Sequence, residues 1–133
     1  MYGSLDISTS GMIAQRTRMQ VIAANLANIN TLENTQGEYE PYLRRAAMLE
    51  PAGHPDQPQG VRVATIDVQE GALRERSMPG HKFADENGIV MVPDIDSTTE
   101  WVNGLQASRA YEANVAAAET MKTMVAQALR LLA

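Results

Sequence analysis

The chain of 133 residues contains no cysteine, so neither a disulfide framework nor a thiolate metal site can form. Aromatic residues are scarce: one Trp, one Phe and four Tyr, 5% of the chain. Any core must therefore be built from Ala, Val, Leu, Ile and Met, which suits helix-on-helix packing better than a large sandwich. No apolar run approaches the roughly 20 residues of a membrane span, and the sequence opens without the basic start and apolar stretch of a cleaved signal. Direct membrane insertion is not expected, and export would need another route. Eleven basic residues are scattered against sixteen acidic ones, for a net charge of -5, which repels phosphate backbones and argues against nucleic-acid binding. Also absent are a G-x-S-x-G elbow, a P-loop and a dinucleotide fingerprint. The reading is of a non-enzymatic protein with no cofactor.

What is present divides the chain into three segments: an N-terminal helical segment 1–31, a β/loop module 32–96 and a C-terminal helix 97–133, forming one structural unit. Residues 5–29 lack proline, and Leu5, Met12, Met19 and Leu26 recur at heptad spacing with Ile22 and Ile29 beside them, the pattern of an amphipathic helix. Gly11 costs about 1 kcal/mol relative to Ala in a helix interior, so the first turns are expected to fray in isolation. Asn25, Asn28 and Asn30 fit either capping at the helix end or recognition of a partner.

All six prolines fall between Thr31 and Pro93. Candidate strands are 42–49, 61–68 and 89–92, and the Pro-rich stretch 51–60 reads as an exposed loop. His81 with Asp85 and Glu86 could be drawn as the metal site of a hydrolase, but Pro79-Gly80 before them signals a turn, and a solvated turn is the simpler reading. His54, in the Pro-rich stretch, is read the same way.

The second helix begins at Ser97-Thr98-Thr99-Glu100, a capping-box spacing with Ser97 as the cap. Tyr111, Ala118, Val125 and Leu132 recur at heptad spacing, with Asn114, Val115, Met121, Ala128 and Leu129 in adjacent rows. The Ala residues around this helix permit close approach of neighbouring backbones, or simply favour helix. Arg109, Glu112 and Asn114 around Tyr111 either specify register or form an ordinary helical surface. The fold expected is mainly α with a small β region: two long terminal helices packed as an antiparallel coiled-coil-like pair, with a short β/loop module between them. Such a pair leaves apolar flank exposed, a burial problem that association solves.

The strings Asp6-Ile7-Ser8-Thr9-Ser10-Gly11-Met12, Ala14-Gln15-Arg16 and Ala24-Asn25-Leu26-Ala27-Asn28-Ile29-Asn30-Thr31 resemble the N-terminal signature of the flagellar rod and hook family. The run Ala107-Ser108-Arg109-Ala110-Tyr111-Glu112-Ala113-Asn114-Val115 resembles its C-terminal signature. Pro79-Gly80-His81 and Ala84-Asp85-Glu86-Asn87-Gly88 look most like a proximal-rod member, although Lys82 stands where such chains usually carry Pro. The larger distal-rod and hook relatives insert a further β domain for which this chain has no room.

The resemblance implies a structural subunit of the bacterial flagellar basal body, in the rod that spans the periplasm and transmits motor torque. Its implied partners are copies of itself, other proximal and distal rod subunits and a rod-base adaptor. It also implies passage through the flagellar type III export apparatus without a cleaved signal, and folding coupled to assembly through the terminal helices. A cytoplasmic helical adaptor is the rival among binding proteins. It shares the amphipathic helices but not the paired terminal signatures.

Overall fold

The computed structural model describes residues 2–54 and 57–132, the side chains of residues 2, 54, 57 and 58 excepted. Pro55 and Asp56 of the Pro-rich stretch, and the His54 side chain, lie outside the described residues. The elements run in the order α1 (Tyr2–Ala27), β1 (Arg45–His54), β2 (Gln57–Val68), β3 (Leu73–Ser77), β4 (Ile89–Pro93) and α2 (Ser97–Leu132). The protein is thus mainly α with a small β region, and its terminal helices pack against each other.

The two helices are antiparallel, since Gly11 of α1 lies against Asn114 of α2 while Ile22 lies against Gly104. The most buried positions of α1 in its first half are Ser8, Gly11 and Ala14, all small, followed by Val21, Ile22 and Asn25. Leu5, Met12, Met19 and Leu26 are each half-buried and flank that row. Where backbones approach closely, small residues take the centre of the contact and longer side chains close over its margins. On α2, Glu100, Ala107 and Ala118 are buried, and Tyr111, Asn114, Val115, Met121, Val125 and Ala128 are half-buried on the same side. Leu129 and Leu132 are 62% and 85% exposed. At 1.5 Å per residue, the 36 residues of α2 run roughly 54 Å, well past the 26 residues of α1.

A β1–β2 hairpin also packs on α1. It pairs antiparallel from Arg45↔Val68 to His54↔Gln57, with register shifts between Met48 and Leu49 and between Pro51 and Gly53. This corrects the reading of 51–60 as a loop: both strands continue into it. Each strand of a two-stranded ribbon is an edge, so a proline that cannot donate to the ladder is tolerated there, particularly beside a bulge. Gly60 has φ of 107° and faces Ser10 of α1 so closely that a Cβ would collide with the Ser10 hydroxyl. That hydroxyl donates to Ile7 O at 2.7 Å and accepts the Val61 N–H at 3.1 Å, fastening hairpin to helix.

The second ribbon pairs β3 with β4 from Leu73↔Pro93 to Ser77↔Ile89. Strand β3 carries no apolar alternation and was not expected from the sequence. After Leu73 its side chains are exposed and mostly charged, which suits an unprotected edge. Strand β4 falls where a strand was expected, and it alternates: Val90 and Val92 are buried while Met91 faces outward. Leu32, Val90 and Val92 form a small core with Met78, Phe83 and Ala84 against it.

Candidate assembly surface

Asn25 is completely buried, and all four of its hydrogen-bonding positions are used. Its Nδ2 donates to Arg45 O at 2.8 Å and to Glu100 Oε2 at 3.0 Å, while its Oδ1 accepts Tyr42 O–H at 3.1 Å and the Arg45 N–H at 3.0 Å. Glu100, 1% exposed, receives Arg44 Nε at 2.7 Å and Nη2 at 2.6 Å on its other oxygen. Burial pushes the Tyr42 hydroxyl above its ordinary pKa; Arg45 opposes this and Glu100 adds to it. Because an unpaired group here would cost about 1–3 kcal/mol, this network specifies one arrangement of α1, the chain before β1, and the first turn of α2.

The network corrects one expectation and bears on a second that the sequence left open. Glu100 does not reach back to close a capping box. Asp96 caps α2 instead, accepting the Thr98 N–H at 3.3 Å and the Thr99 N–H and O–H at 3.2 and 2.6 Å. These bonds, the Thr99 hydroxyl first, hold the Asp96 carboxyl below its usual pKa. Asn25 belongs to the buried network and not to the helix end, whereas Asn28 does cap: its Nδ2 donates to Ala24 O at 2.8 Å and its Oδ1 accepts the Thr31 hydroxyl at 3.1 Å. Sequence spacing could not find Arg44 and Tyr42, which lie 56 and 17 residues from their partners.

Midway along the helices, Asn114 faces Gly11 and donates to Ala110 O at 2.8 Å. Arg109 is exposed, and so is Glu112, whose Oε1 receives the Ser108 hydroxyl at 3.5 Å. His81, Asp85 and Glu86 form a turn: His81 Nδ1 accepts the Phe83 N–H at 3.2 Å, and Asp85 Oδ1 accepts the Asn87 and Ile89 N–H groups at 2.9 and 2.8 Å. Among the described residues no group of three His, Cys, Asp or Glu converges as a metal site. None of their helices is long and apolar enough to cross a membrane.

The helix pair leaves apolar surface uncovered in two places. A groove of about 390 Å³ opens between α1 and α2, lined by Met19, Ile22, Leu26, Trp101, Gly104 and Leu105 among others. Trp101 is 70% and Leu105 53% exposed. At the far end of α2, Met124, Leu129, Leu131 and Leu132 stand largely in solvent. Contiguous apolar surface of this kind marks a site of association.

Comparison with known proteins gives this surface a context. Residues 5–32 match the family described as flagella basal body rod protein. The flagellar basal-body rod protein FlgC of Yersinia enterocolitica is 37% identical over 127 residues, covering 95% of this chain and 93% of that one. FlgC of Salmonella typhimurium is 35% identical over the same shares, and FlgC of Bacillus subtilis is 32% identical over 98% of this chain and 97% of its own. With identities above 30% over nearly the whole length of both chains, the chain belongs to the FlgC family of flagellar basal-body rod proteins, which are structural and not enzymatic.

Proposed function

We propose that this chain is a structural subunit of the proximal rod, built into the drive shaft of the flagellar basal body through its terminal helices. Its location is the flagellar basal body, in the part of the rod that crosses the periplasm, reached through the flagellar export apparatus. Its neighbours are copies of itself, other proximal and distal rod subunits and the adaptor at the rod base. The observation that carries this reading is an antiparallel helix pair with a closely packed centre and exposed apolar flanks, Ile13, Trp101 and Leu105 among them. Surface of that kind gains most of its burial energy on assembly, at about 25 cal/mol per Å² of apolar area.

In this reading Leu5, Met12, Met19, Ile22, Leu26 and Ile29 on one side, and Tyr111, Val115, Ala118, Met121, Val125 and Leu132 on the other, set helix packing within and between subunits. Asn25, Asn28, Arg109, Glu112 and Asn114 set register. The module 32–96 joins the helices of one rod domain. A tube of interlocked long helices resists twisting, which torque transmission requires. The test is complementation of a motility-deficient strain lacking its own subunit. Met19→Asp and Val125→Asp should abolish rod assembly and swimming, and normal motility in both would refute packing through these stripes.

A further inference from the structure

We infer that a cavity between α1, β1 and the first turns of α2 receives an acidic side chain, carried between apolar residues, from a partner chain. The inference rests on the rod-subunit reading, which supplies the partner, and adds the chemistry by which it is recognised. The cavity holds about 330 Å³. Arg18 of α1, Arg44 and Arg45 at the start of β1, and Asn103 of α2 bring donors to its wall, where Glu100 is the only carboxylate among the described residues. Glu100 cannot serve them all. Its Oε1 already takes Nε and Nη2 of Arg44, and its Oε2 takes Asn25 Nδ2. Arg18 and Asn103 are half-buried and have no hydrogen-bond or ion-pair partner among the described residues. Three guanidinium groups against one carboxylate leave the wall positive, and half-buried donors without an acceptor retain part of their desolvation cost. Asp67 stands opposite Ala46 across the hairpin, but it is exposed and lies outside the wall. The amino end of α2 and the carbonyl end of α1 meet in the antiparallel pair and offset each other, so the side chains decide the sign.

The rest of the wall selects what carries the anion. Val21, Ile22, Met48 and Leu49 line it, and a carboxylate fills only a small part of the space, so the remainder suits an apolar body. Arginine matches a carboxylate with a planar fork of donors. Met48 is 51% exposed, so the cavity stays open to the surface and does not enclose a ligand as a small-molecule site does. An acidic side chain with apolar neighbours on a partner chain meets both conditions: the carboxylate reaches Arg18 and Asn103 while the flanking residues cover Met48.

The arginine Nε–H nuclear magnetic resonances of the isotope-labelled full chain read this contact directly. The probes are the end-blocked peptide Ala-Leu-Glu-Leu-Ala, the same peptide with Gln in place of Glu, and inorganic phosphate, each titrated at constant ionic strength. The Glu peptide should shift the Arg18 resonance saturably and bind about tenfold more tightly than the Gln peptide, as charge-assisted pairing requires. Arg18→Gln should lose that preference with thermal unfolding unchanged, because Arg18 lies outside the buried Asn25–Glu100–Arg44 network, and Arg18→Lys should keep part of it. The comparison of peptides on the parent chain decides the matter even where a variant folds poorly. No saturable shift, equal binding of the two peptides, phosphate bound as tightly as the Glu peptide, or a preference that survives Arg18→Gln would each overturn the inference. The rod-subunit reading is judged separately, by the motility of Met19→Asp and Val125→Asp, and stands if only the peptide contrast fails.

Discussion

Gly11 of α1 sits directly beneath the side chain of Asn114 of α2: a Cβ added at residue 11 would lie 2.7 Å from Asn114 Oδ1 and 2.8 Å from its Cγ. The glycine that weakens an isolated helix is therefore the point at which the two helices approach. Gly11→Ala should gain about 1 kcal/mol in helix propensity yet lose about 1–3 kcal/mol to overpacking, for a net fall in stability. Thermal unfolding would show it. Adding Asn114→Ala should recover much of the loss, and additive effects of the two changes would deny the contact.

The Asn25–Glu100–Arg44 network should be the most sensitive polar feature of the chain. Glu100→Ala strands Arg44 and one Asn25 donor, and removing one partner of such a buried pair costs about 3–5 kcal/mol. Arg44 is 22% exposed, which places the expected value at the lower end. Urea unfolding would measure it, and a change below about 0.5 kcal/mol, the ordinary size for a surface site, would contradict the role assigned here.

By contrast, the Arg62–Glu50 pair at 2.6 Å has side chains 69% and 40% exposed, so water screens it. Arg62→Ala should change stability by less than about 0.5 kcal/mol despite its good geometry. A larger loss in the same urea titration would show that the hairpin depends on this bond.

Asp96 supplies an acid-sensitive cap. Its folded pKa is depressed by the Thr99 hydroxyl, then by the Thr99 and Thr98 N–H groups. The cap therefore contributes stability above the unfolded carboxylate range, and that contribution is lost as pH falls through the folded pKa. Asp96→Asn keeps a capping oxygen but no titration, so its stability should fall less between pH 5 and pH 2 than that of the parent chain. Parallel acid profiles for the two proteins would remove Asp96 from the account.

Gly60 joins two requirements, a φ of 107° and contact with Ser10. Gly60→Ala should strain the backbone and lift the hairpin from α1, and a protease should then cut near 51–60 more readily. Ser10→Ala, which removes only the hydroxyl that accepts the Val61 N–H, should give a smaller version of the same effect. Unchanged cleavage in both would mean that the hairpin holds to α1 elsewhere.

The sequence by itself determined the two helices, because a long proline-free apolar pattern needs only local geometry to be read. It also determined the strand at 89–92, the turn at Asp85 and the membership signalled by the two terminal runs. The hairpin through 51–60 was not legible, since proline and glycine look like loop until a partner strand is present to tolerate them at an edge. Strand β3 was hidden for a similar reason: with nothing buried after Leu73, its period leaves no trace in hydropathy. Only the tertiary structure decided that Asn25 and Glu100, 75 residues apart, share one network and that Asp96 takes the cap that Glu100 vacates. It also decided that Gly11 is a contact and not a weakness. Each of these is a relation between segments distant in sequence, and burial, which makes such a relation costly to break, exists only once the chain has packed.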